Sequence, residues 1–295
     1  MKKPALLIGL CCAVILLGII ISSVGLFYND GGQPFEFTSL QGETVRMYGK
    51  GLYRNDSYFK GPIFRGTDAV LLFFAVPLLI ISTIRTYRGS LRGKLMLTGS
   101  LVCFLYTSVS MAFGAAYNVL FLIYILQFSV SLFALILLLT SFDPGALAAH
   151  IKQRLPFKRI AFFLFFAALS PLVWLIDHIE ALFHGGVPQG LENYTTDITA
   201  VLDIGVILPV VVFTGILMLK RKPQGVIFAA MLLILLVQIG LVVAGQTAMQ
   251  LIDGVQLTPM EIVTFVAPFI ILSLIAVWMA ASLIGNISET PLNEG

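Results

Sequence analysis

Eight apolar stretches, each roughly 20 residues long, recur along this chain, and a helix of that length matches a hydrocarbon core of about 30 Å. They cover 5–27, 65–84, 95–116, 119–140, 160–184, 200–219, 226–248 and 262–285. Strand-built barrels need stretches of about ten residues that alternate apolar with polar, and these do not alternate. With 58% hydrophobic and 11% charged residues, a water-facing surface is excluded as well. The expected fold is an all-α integral membrane protein, a bundle of about eight helices.

The first stretch follows Lys2 and Lys3 as a signal peptide would, yet signal cores are only about 7 to 15 residues long. It reads as an uncleaved anchor, the alternative being a seven-helix mature protein. Four parts follow: an anchor helix over 1–27, an external cap over 28–64, a seven-helix bundle over 65–285 and a cytoplasmic tail over 286–295. Cys11, Cys12 and Cys103 all lie inside apolar stretches, so no disulfide framework is expected.

Lysine and arginine fix the orientation, because positive residues beside helix ends are retained in the cytoplasm. Of the 18, Arg46, Lys50, Arg54, Lys60 and Arg65 lie in or beside the long loop after the first helix. Every other one falls on the opposite side, among them Lys2, Arg88, Lys152, Arg159 and Lys222. Both termini are therefore expected in the cytoplasm, with lipid as the principal partner and no tail suited to nucleic acid.

In the long loop, Phe35-Glu36-Phe37-Thr38 alternates as a strand does, and Val45, Met47, Leu52 and Tyr53 offer an apolar face, so a small β-structured cap is expected. Such a loop is also a place for a membrane-protein partner. Between the third and fourth helices only Tyr117 and Asn118 remain, which predicts a tight hairpin. After Asp143-Pro144, a stripe of Leu147, Ile151 and Leu155 reads either as an interfacial helix or as an ordinary positive cytoplasmic loop. Asp68, Pro77 and Arg85 of the second helix echo in order as Asp203, Pro209 and Lys220 of the sixth at different spacings, which reads either as coincidence or as a parallel repeat.

The polar residues with chemical potential gather at the outer helix ends. Asp177, Glu180 and His184 share one face of the fifth helix, and carboxylates near a helix C-terminus oppose its partial negative charge. A metal ion, a cationic ligand or the basic loop would compensate them. Asp68 and Asp203 sit in the first turns of their own helices, and these five residues are the candidate ligand site. A zinc reading of Asp177, His178, Glu180 and His184 lacks any compact metalloenzyme spacing. No cofactor is indicated. Tyr124, Gln127 and Ser131 on one helix, with Tyr106 and Ser110 on another, read as interhelical hydrogen-bonding residues or as the lining of a path.

Arg65-Gly66-Thr67-Asp68, the run from Arg88 to Lys94, the run from Ala112 to Asn118, Tyr194-Thr195-Thr196 and Leu202-Asp203-Ile204-Gly205 resemble motifs of uncharacterised bacterial multi-spanning membrane proteins. The resemblance runs from the second helix through the seventh. It implies a bacterial inner-membrane setting and carries no established activity. From the residues themselves, binding or transport of a small cationic ligand at the external face is the leading expectation. The alternatives are a sensor or accessory subunit of a membrane complex and a membrane-embedded metal-dependent hydrolase.

Overall fold

The computed structural model describes residues 5–40, 42–188 and 190–291, so Lys2, Lys3 and the last residues of the tail lie outside the described residues. Eight helices are long and apolar enough to cross a membrane: α1 Ala5–Phe27, α2 Lys60–Tyr87, α3 Leu91–Gly114, α4 Phe121–Thr140, α5 Phe157–His184, α6 Ile198–Leu219, α7 Pro223–Ile252 and α8 Pro259–Gly285. The expected count stands, with several helices a turn longer than their apolar stretches. Polar residues such as Lys60 and Arg65 ride on the first turns of α2, where Lys60 lies over the Tyr194 ring and Arg65 reaches the Tyr48 hydroxyl and Asp253.

The cap is β-structured as expected, with β1 Phe35–Thr38 paired antiparallel with β2 Thr44–Met47 in a hairpin. Val45, Met47, Leu52 and Tyr53 are buried as their pattern implies, whereas all of β1 is exposed. The α3–α4 connection is longer than expected. Helix α3 stops at Gly114 and α4 starts at Phe121, because the Ala116 amide is drawn to the Asp56 carboxylate of the cap at 2.8 Å and the Leu120 amide to the Asn118 side chain at 3.0 Å.

At the basic end of the bundle, Asp143 caps a short helix over Pro144–Ala148 by accepting from the Gly145 and Ala146 amides. Leu147 and Leu155 are buried in the bundle core. Ile151 bridges to Ile287, and the Ser288 amide donates to the His150 carbonyl at 2.8 Å. The stripe thus packs inward and pairs with the segment after α8. Glu289 continues this strap, accepting from the Ser90 hydroxyl and the Leu91 amide at the start of α3. The loop before α5 and the segment after α8 therefore share one end of the bundle.

Helices α2–α3 and α6–α7 repeat one another at the π turn, the proline and the connecting turn. Each first helix contains a π turn, Leu71–Ala75 and Asp203–Ile207, followed at the second residue by Pro77 and Pro209. Each ends in the same turn: the Arg88 amide donates to Ile84 and the Lys220 amide to Ile216, Gly89 to Thr86 and Arg221 to Met218, Ser90 to Arg85 and Lys222 to Leu217. Gly89 and Arg221 both take positive φ, 83° and 51°. Gly93 and Gly225 then let the following helix pass against equivalent atoms, those of Arg85 and Thr86 in one case and of Leu217 and Met218 in the other. In this register Pro77 matches Pro209, but Asp68 falls one helical turn before the position of Asp203 and Arg85 matches Leu217. The echo anticipated from the sequence is therefore real at the prolines and shifted at the charges.

The halves differ in closure. Helix α1 packs on both α2 and α4, and α4 on α3, so the first four helices close. The Gln127 side chain of α4 donates to the Val14 carbonyl of α1 across that seam. In the second half α5 packs on α6, α6 on α7 and α7 on α8. The meeting of α5 with α8 is a stack of Trp174 on Phe265 and Phe269. Helix α8 carries its own π turn, Ile262–Val266, again two residues before a proline, Pro268, and α5 tightens to a 3-10 turn over Ser170–Trp174. Toward the cap from these distortions, Leu175–His184 and Pro259–Val266 contribute no buried residue. Amide exchange should reflect this: Asp203–Ile207 and Ile262–Val266 will exchange faster than Leu71–Ala75, whose Leu71 and Ala75 are buried. Equal protection of all three π turns would mean that the second half is closed as the first is.

Candidate functional site at the cap end of the second half

Asp203 begins the π turn of α6 and is part-exposed. One carboxylate oxygen accepts from the Tyr106 hydroxyl of α3 at 2.9 Å, the other from the Trp174 indole N–H of α5 at 3.0 Å. Both donors are neutral. Among the described residues no Lys or Arg pairs with Asp203, while Asp197 at the start of α6 adds a second negative charge within electrostatic range. The indole lies 5.9 Å from Phe265 with the planes 10° apart, and 6.1 Å from Phe269 at 26°. Three helix distortions thus meet on one side chain: the 3-10 turn of α5 supplies Trp174, the π turn of α6 supplies Asp203 and that of α8 supplies Phe265.

Asp68 is placed differently. It is fully enclosed between α1 and the cap, with the Tyr53 hydroxyl donating at 2.5 Å. Gly25 of α1 is needed there, since any Cβ would collide with the Asp68 carboxylate and the Tyr53 hydroxyl. Asp177 is half-buried and Glu180 and His184 are exposed on the outer turns of α5, where His184 Nδ1 meets the Glu180 carbonyl at 2.9 Å. His178 lies 3.8 Å from Asp197. Among the described residues no hydrogen bond or ion pair joins Asp68, Asp203 and the acidic turns of α5 to one another, and no group of three or more His, Cys, Asp or Glu is arranged to hold a metal.

The basic residues of the long loop find partners that the sequence did not suggest. Lys50 and Arg65 both reach Asp253 at the end of α7, each at 3.0 Å, and the Tyr48 hydroxyl adds a bond of 2.6 Å. Burial raises the proton affinity of Asp253, but those hydrogen bonds and the two cations outweigh it and hold the carboxyl below the usual range. Arg54 pairs with Asp30, Arg46 lies over the Tyr58 ring and Lys60 over the Tyr194 ring. Lone charges in short loops, such as Asp253, carry no periodic signal, and only the fold brings it to the cap.

A third carboxylate, Asp56, ties the cap to two other loops. It accepts from the Ala116 amide at 2.8 Å and the Tyr194 hydroxyl at 2.9 Å, while the Ser57 hydroxyl beside it donates to Glu192. Burial pushes the Asp56 carboxyl up to about 7, against the lowering effect of Ala116, Tyr194 and the nearby Lys60. Glu192 is raised for the same main reason.

No protein-family model, no curated protein and no solved structure matches this chain. Its chemistry is read from the residues alone.

Two outcomes are expected. In a double-mutant cycle, Lys50→Met and Asp253→Asn will couple by about 1 kcal/mol, whereas Lys50→Met and Glu180→Gln will add within about 0.5 kcal/mol. Coupling to Glu180 instead would refute the assignment of the loop cations. The second concerns pH. Folded Asp56 holds its proton to about 7 whereas the unfolded carboxyl releases it near the ordinary 3.8, so between these values the folded state binds more protons and this group's contribution falls as pH rises. Asp56→Asn should remove that component, making the melting temperature fall less between pH 4 and pH 7 than in the wild type. Identical pH slopes would show that Asp56 titrates normally.

Proposed function

We propose that this chain is a multi-pass protein of the cell membrane, a bacterial inner membrane by the resemblance of its motifs, with both termini cytoplasmic. It binds, and by its architecture transports, a small cation that enters from the external face and is held by Asp203. The orientation is supported by the basic residues at the end where the strap joins the loop before α5. The cap, the loop after α5 and the loop after α7 then face outward together, as Tyr48 to Asp253 and Ser57 to Glu192 require.

One observation carries the reading. A part-exposed carboxylate stands where α5, α6 and α8 are all distorted, with neutral donors alone as partners, in a chain whose external cations are engaged elsewhere. Ionisable residues at such depth are costly and mark ion or substrate pathways, and π turns recur at functional sites. Asp177 lies one turn outward from Trp174 on α5 and Glu180 one turn beyond that, a negative rim suited to drawing a cation inward. Asp68, enclosed by the cap, serves the first half structurally. A second reading, an accessory subunit with a partner on the cap, has in its favour the exposed Phe35, Phe37 and Leu40 of the hairpin.

Thermal melts of the purified full-length protein across inorganic and organic cations provide the test. At least one cation should raise the melting temperature of the wild type in a concentration-dependent way, with stability growing as the logarithm of its concentration above the dissociation constant, and Asp203→Asn should lose the shift. A cation response equal in both proteins, or none in the wild type, would sink this function.

A further inference from the structure

Resting on the cation site just proposed, we infer that its ligand is an organic ammonium, an alkylated or primary amine in its charged form, and not a metal ion. A hard metal ion wants several oxygen ligands, about six for magnesium and six to eight for calcium. Here the two nearest polar groups are an indole N–H and a phenol, and the indole has no lone pair to offer. Among the described residues no third acidic or imidazole side chain converges on them. One carboxylate with one hydroxyl leaves an inorganic ion without most of its shell.

An ammonium needs much less. Each Asp203 oxygen accepts a single hydrogen bond and keeps a free lone pair, so a bound N–H can donate to the carboxylate while Tyr106 and Trp174 hold it in place. Beside the carboxylate stands an aromatic stack: Trp174 and Phe265 are part-exposed and nearly parallel, and the buried Phe269 also stacks with the indole. Ring faces carry negative quadrupole density, with Trp the strongest, and they attract weakly hydrated organic cations whose carbon atoms also gain by leaving water. The helices explain why this wall is accessible. The counterpart seam in the first half is shut by contact between α1 and α4, while α5 and α8 meet through these rings and their outer turns bury nothing.

Calorimetric titration of the full-length protein in lipid nanodiscs, with n-butylammonium, trimethylammonium, sodium, potassium and magnesium as probes, tests the inference. An organic ammonium should bind at least about tenfold more tightly than any inorganic probe. Phe265→Leu should weaken the organic probes by about tenfold and leave the unliganded melting temperature within the range of other conservative core changes. Trp174→Phe, which keeps a ring but removes the donor, should weaken them less than Trp174→Leu. Asp203→Asn should abolish binding. An inorganic cation that binds as tightly as the amines, and depends on Asp203, would overturn the ligand class while leaving the cation site standing. Failure of every probe on the wild type would overturn both, and amine binding untouched by Asp203→Asn or Phe265→Leu would place the amine elsewhere and overturn this site.

Discussion

A backbone amide that loses its helical partner inside lipid has no water to turn to, and each such loss costs several kcal/mol. Eight helices long and apolar enough to cross a membrane would meet that constraint along most of this chain. Its eight long helices can be distorted only in ways that keep most backbone groups bonded, and the π turns before Pro77, Pro209 and Pro268 do so by shifting the bonding pattern one residue instead of breaking it. A proline placed two residues after a wide turn removes a donor where the ladder is already displaced. Distortion is therefore concentrated at three places, and two of them, with the 3-10 turn of α5, meet at Trp174.

The repeat explains why one of these places differs from the others. Two four-helix halves with the same turns, the same close passages at Gly93 and Gly225 and the same π turns would present equivalent polar positions near their outer ends. In the first half the cap fills that region: Tyr53 descends onto Asp68, and α1 closes against α4. The second half has only a short connection between α5 and α6, and its carboxylate lies one turn deeper with an aromatic stack in place of a helix contact. A shared scaffold thus holds one sealed and one open version of the same junction.

Helix number and placement were legible because length and hydropathy report directly on the solvent, and the cap hairpin because Phe35 to Thr38 alternates. Other features depended on contacts distant in sequence. The α3–α4 turn reads as two residues until Asp56, from the cap, claims the Ala116 amide and draws the chain out. The stripe of Leu147, Ile151 and Leu155 looks like a membrane-surface face until Ile287 returns to cover it. Asp203 was visible as a carboxylate out of place, but Trp174, Phe265 and Phe269 were ordinary apolar residues in apolar stretches. Nothing in periodicity distinguishes a ring that packs from a ring that lines a site.

Electrostatics completes the argument for Asp203. The cap and the first turns of α2 bring five cations to the same end of the bundle as several carboxylates, and a cation left free would neutralise the nearest acidic group and occupy the place of any ligand. Each is instead committed: Lys50 and Arg65 to Asp253, Arg54 to Asp30, Arg46 and Lys60 to tyrosine rings. Asp253 is the decisive acceptor, because it ends α7, where the helix dipole favours positive charge nearby and two cations together are well placed. It holds Lys50 and Arg65 at α7, while Lys60 acts on Asp197 at the start of α6 and pairs with no oxygen of Asp203. Among the described residues Asp203 is then left with neutral donors as its hydrogen-bond partners, which is the condition the proposed cation-binding role requires of it.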